Sequence, residues 1–128
     1  MVLLDTCALL WLAGDQDALS DNAKAAISSS LDGPAVSAIS AFEIAFTHRQ
    51  GKLELPLPPE QWYAEALKSH GIREIPVDGA CCLAAAALPL IHRDPCDRFV
   101  IATAQVHGLS LLTPDRVIAR YPDVTVIW

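Results

Sequence analysis

Short apolar segments alternate with helix-length segments along the whole chain, and this alternation limits the possible folds more than any other feature. Each apolar segment is only a few residues long, and a segment with a helical pattern separates it from the next. The predicted strands are residues 2–4, 35–37, 72–77, 109–112 and 124–128. Strands joined through helices favour a parallel sheet, and such a sheet is covered by helices on both faces. The pattern therefore predicts an α/β fold.

The helices between these strands are marked by their start and stop signals. Ser20 can cap one helix and Asp78 another, and Gly51, Gly71 and Gly108 stop three of them. The predicted helices are residues 6–12, 20–30, 40–50, 60–70, 78–88, 95–107 and 114–120.

The length and composition predict a single domain, residues 1–128, with a substantial core. Hydrophobic residues make up 52% of the chain and the mean hydropathy is +0.32, which is high for a small domain. Either a partner covers exposed apolar surface, for example a second copy of the chain, or an alanine-rich core raises the average. The composition leaves both explanations open.

The net charge of −6 argues against a passive nucleic-acid-binding module, which would normally be basic. It does not exclude a nuclease, because divalent cations can neutralise an acidic site. The four cysteines contain no C-x-x-C pair, and neither a secretory signal nor a membrane-spanning run is evident. We therefore expect reduced thiols, a cytoplasmic protein and no membrane association.

Four acids lie where predicted strands end or the following helices begin. Asp5 directly follows the first strand, and Asp115 follows the fourth after two residues. Glu43 and Asp97 lie in the first turns of predicted helices. Because the ligand crevice of an open parallel sheet lies outside the carboxyl ends of its strands, we expect all four acids on one edge of the sheet.

Carboxylates gathered in this way repel one another unless a cation binds among them. Ligand sets made only of oxygen favour Mg²⁺ or Mn²⁺ over Zn²⁺. One or two such ions could activate a water molecule and stabilise a leaving oxygen, which is the arrangement that phosphodiester hydrolysis needs. The sequence thus predicts a metal-dependent nuclease in which Asp5, Glu43, Asp97 and Asp115 are both the metal ligands and the catalytic acids.

Each acid also has a purely structural interpretation. Asp5 could cap the helix that begins at Thr6. Ser40 and Glu43 match the S-x-x-E capping box, which is the better interpretation of Glu43 taken alone. Asp94 is assigned as an N-cap with Pro95 in the first helical position, and Asp97 could complement the helix N-terminus. The joint position of the four acids, and not any one of them, favours function.

Several neighbours of the acids are candidates for supporting roles. Three hydroxyl residues could orient carboxylates or waters, or act as ordinary caps, which we favour for Ser40: Thr6, Ser40 and Thr113. Three arginines could bind substrate phosphates, or only solvate the surface: Arg93, Arg98 and Arg116. Nothing in the sequence indicates that His92 is a metal ligand.

Four motifs together carry a family resemblance. They are Leu3-Leu-Asp-Thr6, Ser37-Ala-Ile-Ser-Ala-Phe-Glu-Ile-Ala45, His92-Arg-Asp-Pro-Cys-Asp-Arg98 and Leu112-Thr-Pro-Asp115. In this order and spacing they resemble the PIN-domain family, and most closely the VapC-type toxins of bacterial toxin–antitoxin pairs. The resemblance covers essentially the whole chain. It implies a three-layer α/β/α sandwich with a mainly parallel central sheet.

The resemblance also implies an activity and partners. It implies an endoribonuclease dependent on Mg²⁺ or Mn²⁺, whose acidic quartet falls on the four acids named above. It further implies a homodimer that a cognate antitoxin neutralises. Three positions depart from the pattern common in this subgroup, where His, Trp and Phe are frequent: Cys7, Phe42 and Cys96. These departures affect the expected substrate preference more than the expected chemistry, because no carboxylate is lost.

Two other classes of function are compatible with a sheet of this kind. A phosphotransfer domain would need an acidic pair after the first strand and a lysine after a late strand, and a related phosphatase would need D-x-D after the first strand. Here Thr6 and Cys7 follow Asp5, and no lysine occurs from position 86 onward. A non-catalytic interaction protein that keeps the fold is the other alternative, and the complete set of acids argues against it.

Overall fold

A computed structural model describes residues 1–128 and contains one five-stranded sheet. The strands are Val2–Leu4 (β1), Ala35–Ser37 (β2), Arg73–Ile75 (β3), Ser110–Leu112 (β4) and Val126–Ile127 (β5). Their spatial order is β3-β2-β1-β4-β5, and every neighbouring pair is parallel. The predicted parallel sheet is confirmed, and β1 lies at its centre.

Six α-helices and two 3₁₀ turns connect the strands. The helices are Thr6–Ala13 (α1), Asp21–Ser29 (α2), Ile39–Arg49 (α3), Pro59–Ser69 (α4), Gly79–Ala87 (α5) and Pro95–His107 (α6), and the 3₁₀ turns are Gln16–Ala18 and Ile118–Arg120. Gly108 ends α6 in the left-handed conformation, with φ of 64°, which glycine adopts without the steric cost of a Cβ atom. None of the helices combines the length and apolarity that a membrane crossing requires.

Helices cover both faces of the sheet, as the near-continuous apolar strands require. On one face, Leu4 and Val36 pack with residues of α1 to α4, including the buried Trp62. On the other face, Leu3 and Leu111 pack with residues of α5 and α6. These two apolar layers with the sheet between them confirm the three-layer α/β/α sandwich.

The C-terminal part of the chain differs from the prediction. The helix predicted over 114–120 is only the 3₁₀ turn Ile118–Arg120, and the last strand is two residues long. The Asp115 carboxylate accepts the backbone N–H of Val117 at 2.8 Å. That bond is of the N-cap type, but the turn after it is short: Tyr121 is extended, with φ of −74° and ψ of 138°, because the following Pro122 disfavours helical backbone at that position.

Candidate active site

Asp5 lies at the carboxyl end of the central strand and has a structural as well as a chemical role. Its backbone N–H continues the β1–β4 ladder to the Leu112 carbonyl at 3.1 Å. The residue is 5% exposed, and its side chain caps α1 by accepting the Ala8 N–H at 2.7 Å. The helix-cap interpretation is therefore confirmed, and the capped carboxylate still lines a cavity.

Glu43 does not belong to a capping box, so that interpretation is wrong. α3 begins at Ile39, and its N-cap Ala38 makes no side-chain hydrogen bond. Ser40 is not the cap either, because it lies buried inside the helix and shares a hydrogen bond of 2.9 Å with Thr6. Glu43 is left without a local partner, and its Oε1 atom is buried and unpaired.

The loop before α6 follows the prediction closely. Asp94 is the N-cap, accepts the Cys96 N–H at 2.9 Å and precedes Pro95 in the first helical turn. Asp97 is the acid of that first turn, with its side chain 21% exposed. The confirmed cap holds Asp97 at the positive end of a 13-residue helix.

Asp115 is held by local hydrogen bonds and by His92, a contact that the sequence did not predict. The Thr113 hydroxyl accepts the Asp115 N–H at 3.1 Å. His92 Nε2 lies 2.9 Å from Asp115 Oδ2 and 3.0 Å from Asp97 Oδ2. No sequence pattern could have revealed this contact, because His92 and Asp115 are 23 positions apart and meet only through the fold.

All four predicted acids line one cavity of about 410 Å³. It opens at the edge of the sheet where β1, β2 and β4 end. Its polar wall is formed by carboxylates and hydroxyls, with one cysteine: Asp5, Glu43, Asp94, Asp97, Asp115, Thr6, Thr47 and Cys7. The cavity has no arginine or lysine in its lining.

Burial and crowding shift the pKa values of these acids in different directions. Burial, with smaller contributions from Glu43 and Asp115, raises the pKa of Asp5 to about 6, although hydrogen bonds from Thr113 and Ala8 oppose the rise. Burial and the neighbouring Asp94 raise the pKa of Asp97 to about 7. Burial also raises that of Asp115, but bonds from His92 and the Val117 N–H outweigh it, so its pKa lies below 3.8. Without a cation, Asp97 therefore retains part of its proton at neutral pH, whereas Asp5 and Asp115 are mainly ionised.

The three arginines predicted to contact substrate do not line this cavity. The Arg98 guanidinium instead donates to the carbonyls of Ala85, Leu88 and Pro89, each at 2.9 Å. It ties the end of α5 and the following loop to α6, so the structure gives Arg98 a structural role. Arg93 lines a separate, mainly apolar cavity with Arg98, and Arg116 is exposed.

The side chains present at this edge fit a hard divalent cation. The donor atoms are carboxylate oxygens, with hydroxyl oxygens beside them, and such ligands suit Mg²⁺ or Mn²⁺. The buried, unpaired Glu43 Oε1 is unusual because buried polar atoms are normally hydrogen-bonded. A cation would satisfy this oxygen and remove the repulsion that contributes to the raised pKa values of Asp5 and Asp97.

Comparison with known proteins agrees with this architecture. The family model of the PIN domain matches residues 2–124. The chain belongs to the PIN-domain family. It is 35% identical over 130 residues to ribonuclease VapC22 from Mycobacterium tuberculosis, an alignment that covers 99% of this chain and 98% of the relative.

Solved structures share the fold at lower sequence identity. VapBC2 from Rickettsia felis, bound to a DNA fragment from its promoter, aligns with a TM-score of 0.72 and 15% identity over 98% of this chain and 97% of that one. FitAcB from Neisseria gonorrhoeae aligns with a TM-score of 0.66 and 23% identity over 98% and 96% of the two chains. These likenesses support the fold assignment made from the sheet order.

Proposed function

We propose that the protein is an endoribonuclease that hydrolyses RNA phosphodiester bonds with the help of Mg²⁺ or Mn²⁺. One observation carries the proposal: four acids, two just after strands and two on helices, line one cavity, and one of their buried oxygens has no partner. The 35% identity to ribonuclease VapC22 supports RNA as the substrate. Asp5, Glu43, Asp97 and Asp115 are the proposed ligands.

Within this proposal, the chain's own residues hold and orient the carboxylates. The Ala8 N–H and the Thr113 hydroxyl fix Asp5, and the Val117 N–H fixes Asp115. The bond between Thr6 and Ser40 joins α1 to α3 and so sets the spacing between Asp5 and Glu43. The chemistry that a bound cation supplies is the activation of a water and the stabilisation of the leaving oxygen.

Binding of RNA to this acidic site depends on cations rather than on local basic side chains. The net charge is −6 and the cavity has no Lys or Arg in its lining. The protein without cations therefore attracts substrate phosphates weakly. Phosphates are attracted to the site once divalent cations neutralise the acids. Arg93 and Arg116 are exposed and remain candidates for phosphate contacts outside the cavity.

The biological role that we propose is that of the toxin in a toxin–antitoxin pair. The relatives of this fold include toxin–antitoxin complexes, which supports a cognate antitoxin as partner. Exposed apolar side chains, including the stacked pair Phe42 and Phe46, support a homodimer or an antitoxin contact. The four free cysteines support a cytoplasmic location, where thiols stay reduced.

Cleavage of defined RNAs by purified protein tests the proposal. A panel of single-stranded and structured RNAs is incubated with Mg²⁺, Mn²⁺ or EDTA, using wild type, Asp5→Asn and Asp97→Asn. We expect cutting that needs the cation and that both variants lose while their circular dichroism stays native. Asp32→Asn changes the same charge in an exposed turn and should cut normally. Wild-type rates in both site variants would refute the assignment.

A further inference from the structure

The His92 imidazole lies between two of the proposed metal ligands. Nε2 is 2.9 Å from Asp115 Oδ2 and 3.0 Å from Asp97 Oδ2, and the side chain is only 16% exposed. These are the only contacts within 4.0 Å between a basic side chain and a carboxylate in the structure. Nine Lys and Arg residues are present, yet a histidine makes both contacts.

The surrounding backbone fixes the orientation and the tautomer of this ring. His92 Nδ1 accepts the Asp94 N–H at 3.2 Å, so the ring proton is on Nε2 and points to the carboxylates. The backbone N–H of His92 donates to the hydroxyl of the buried Tyr121 at 2.7 Å. The ring is therefore anchored on both sides and is not a freely rotating surface side chain.

A single N–H cannot serve two carboxylate oxygens equally well, because a strong hydrogen bond is close to linear. The bond to Asp115 has good geometry, and Asp97 Oδ2 is only a close neighbour of the same nitrogen. A divalent cation would attract both oxygens without this restriction. Neither ring nitrogen can become a ligand in this arrangement without losing its present hydrogen bond.

We propose that His92 is a positioning residue that occupies the gap between Asp97 and Asp115 in the metal-free protein. There its N–H competes with the divalent cation for Asp115 Oδ2, and the ring occupies the space beside Asp97 Oδ2 that the cation would need. Metal loading requires the ring to leave this position, so His92 weakens metal binding while it keeps the two carboxylates together. This inference rests on the proposed cation site, and its test separates the two.

The first test measures Mn²⁺ affinity by calorimetry and by electron paramagnetic resonance, for wild type, His92→Ala and His92→Gln. We expect His92→Ala to bind Mn²⁺ about tenfold more tightly than wild type. The cation then no longer has to displace the imidazole, whose hold on the carboxylate is roughly one charge-assisted hydrogen bond. His92→Gln keeps an N–H donor and should fall between the two. His107→Ala removes an exposed histidine at the end of α6 and should bind as wild type.

The outcomes distinguish the two proposals. Unchanged affinity in His92→Ala would overturn the role of His92, and so would weaker affinity, which would mean that His92 is itself a ligand or a required support. Wild type that binds no Mn²⁺ at millimolar concentration would overturn the cation site as well.

A second measurement needs no variant and covers the case in which His92→Ala fails to fold. In nitrogen-15 spectra of wild type, the His92 Nε2–H signal should show slow exchange without metal. Titration with Mg²⁺ should shift it and speed its exchange, while His107 stays unchanged. A His92 signal that keeps its position and exchange rate at saturating Mg²⁺ would overturn the proposal.

Discussion

Replacing Asp5 with asparagine is expected to stabilise the metal-free protein while it abolishes RNA cleavage. Asp5 is 5% exposed, and burial raises the pKa of its carboxyl from 3.8 to about 6. Asparagine has nearly the same shape and is an equally good N-cap, so it can keep the bond to the Ala8 N–H. The substitution therefore removes the buried charge and leaves the cap in place.

The magnitude follows from the two pKa values. The folded state binds the Asp5 proton more tightly than the unfolded chain does. This tighter binding stabilises the folded state to its full extent below about pH 4, and the stabilisation is lost as the pH rises through 6. Above pH 6 the loss is about 3 kcal/mol, at about 1.4 kcal/mol for each pH unit between the two values. Burial of the asparagine amide offsets roughly 1 kcal/mol of the gain. We expect a net increase of about 2 kcal/mol in the free energy of unfolding at pH 7.5.

Urea unfolding in EDTA, followed by circular dichroism, measures this difference. Wild type and Asp5→Asn are compared at pH 7.5 and at pH 4.0, with Asp32→Asn as an exposed control. The advantage of Asp5→Asn should be present at pH 7.5 and largely absent at pH 4.0. A variant no more stable than wild type at pH 7.5, or an advantage of equal size at both pH values, would refute the reasoning.

Three further predictions test other parts of the structure. Arg98→Ala should lower the free energy of unfolding by about 2 kcal/mol, because it removes charge-assisted bonds to three carbonyls, whereas Arg120→Ala on the exposed surface should change it by less than about 0.5 kcal/mol. Millimolar Mg²⁺ should raise the thermal midpoint of wild type but not that of Glu43→Gln, and equal shifts would argue against Glu43 as a ligand. Sedimentation should show self-association at high micromolar concentration, and a strict monomer would contradict the proposed homodimer.

The centre of the fold could be predicted from the sequence because its signals are local. β1 and β2 have the predicted bounds, since each is a run of three buried residues between clear stop signals. The cap at Asp94 was also predictable from the adjacent Pro95. The C-terminal segment was not, because the short helical pattern over 114–120 fits the 3₁₀ turn Ile118–Arg120 as well as an α-helix.

For the candidate site, the sequence predicted which acids come together but not the contacts that hold them. The topology of a parallel sheet gathers strand ends on one edge, and this general property brought Asp5 and Asp115 together with the acids of α3 and α6. The supporting contacts depend on the tertiary structure. Ser40 bonds to Thr6 across 34 positions, and this long-range bond replaced the capping box that the local pattern indicated. The two contacts of His92 with carboxylates were hidden for the same reason.

The chemical identity of the new RNA ends tests the central claim most directly. RNA labelled at either end is cut with Mg²⁺ or with EDTA, and the product ends are identified by mass spectrometry. Attack by an activated water at an acid-bound cation should leave 5′-phosphate and 3′-hydroxyl ends, only when metal is present. Cutting in EDTA, or ends that carry a 2′,3′-cyclic phosphate, would show that the RNA's own 2′-hydroxyl is the nucleophile and would contradict a site in which four carboxylates act through a metal.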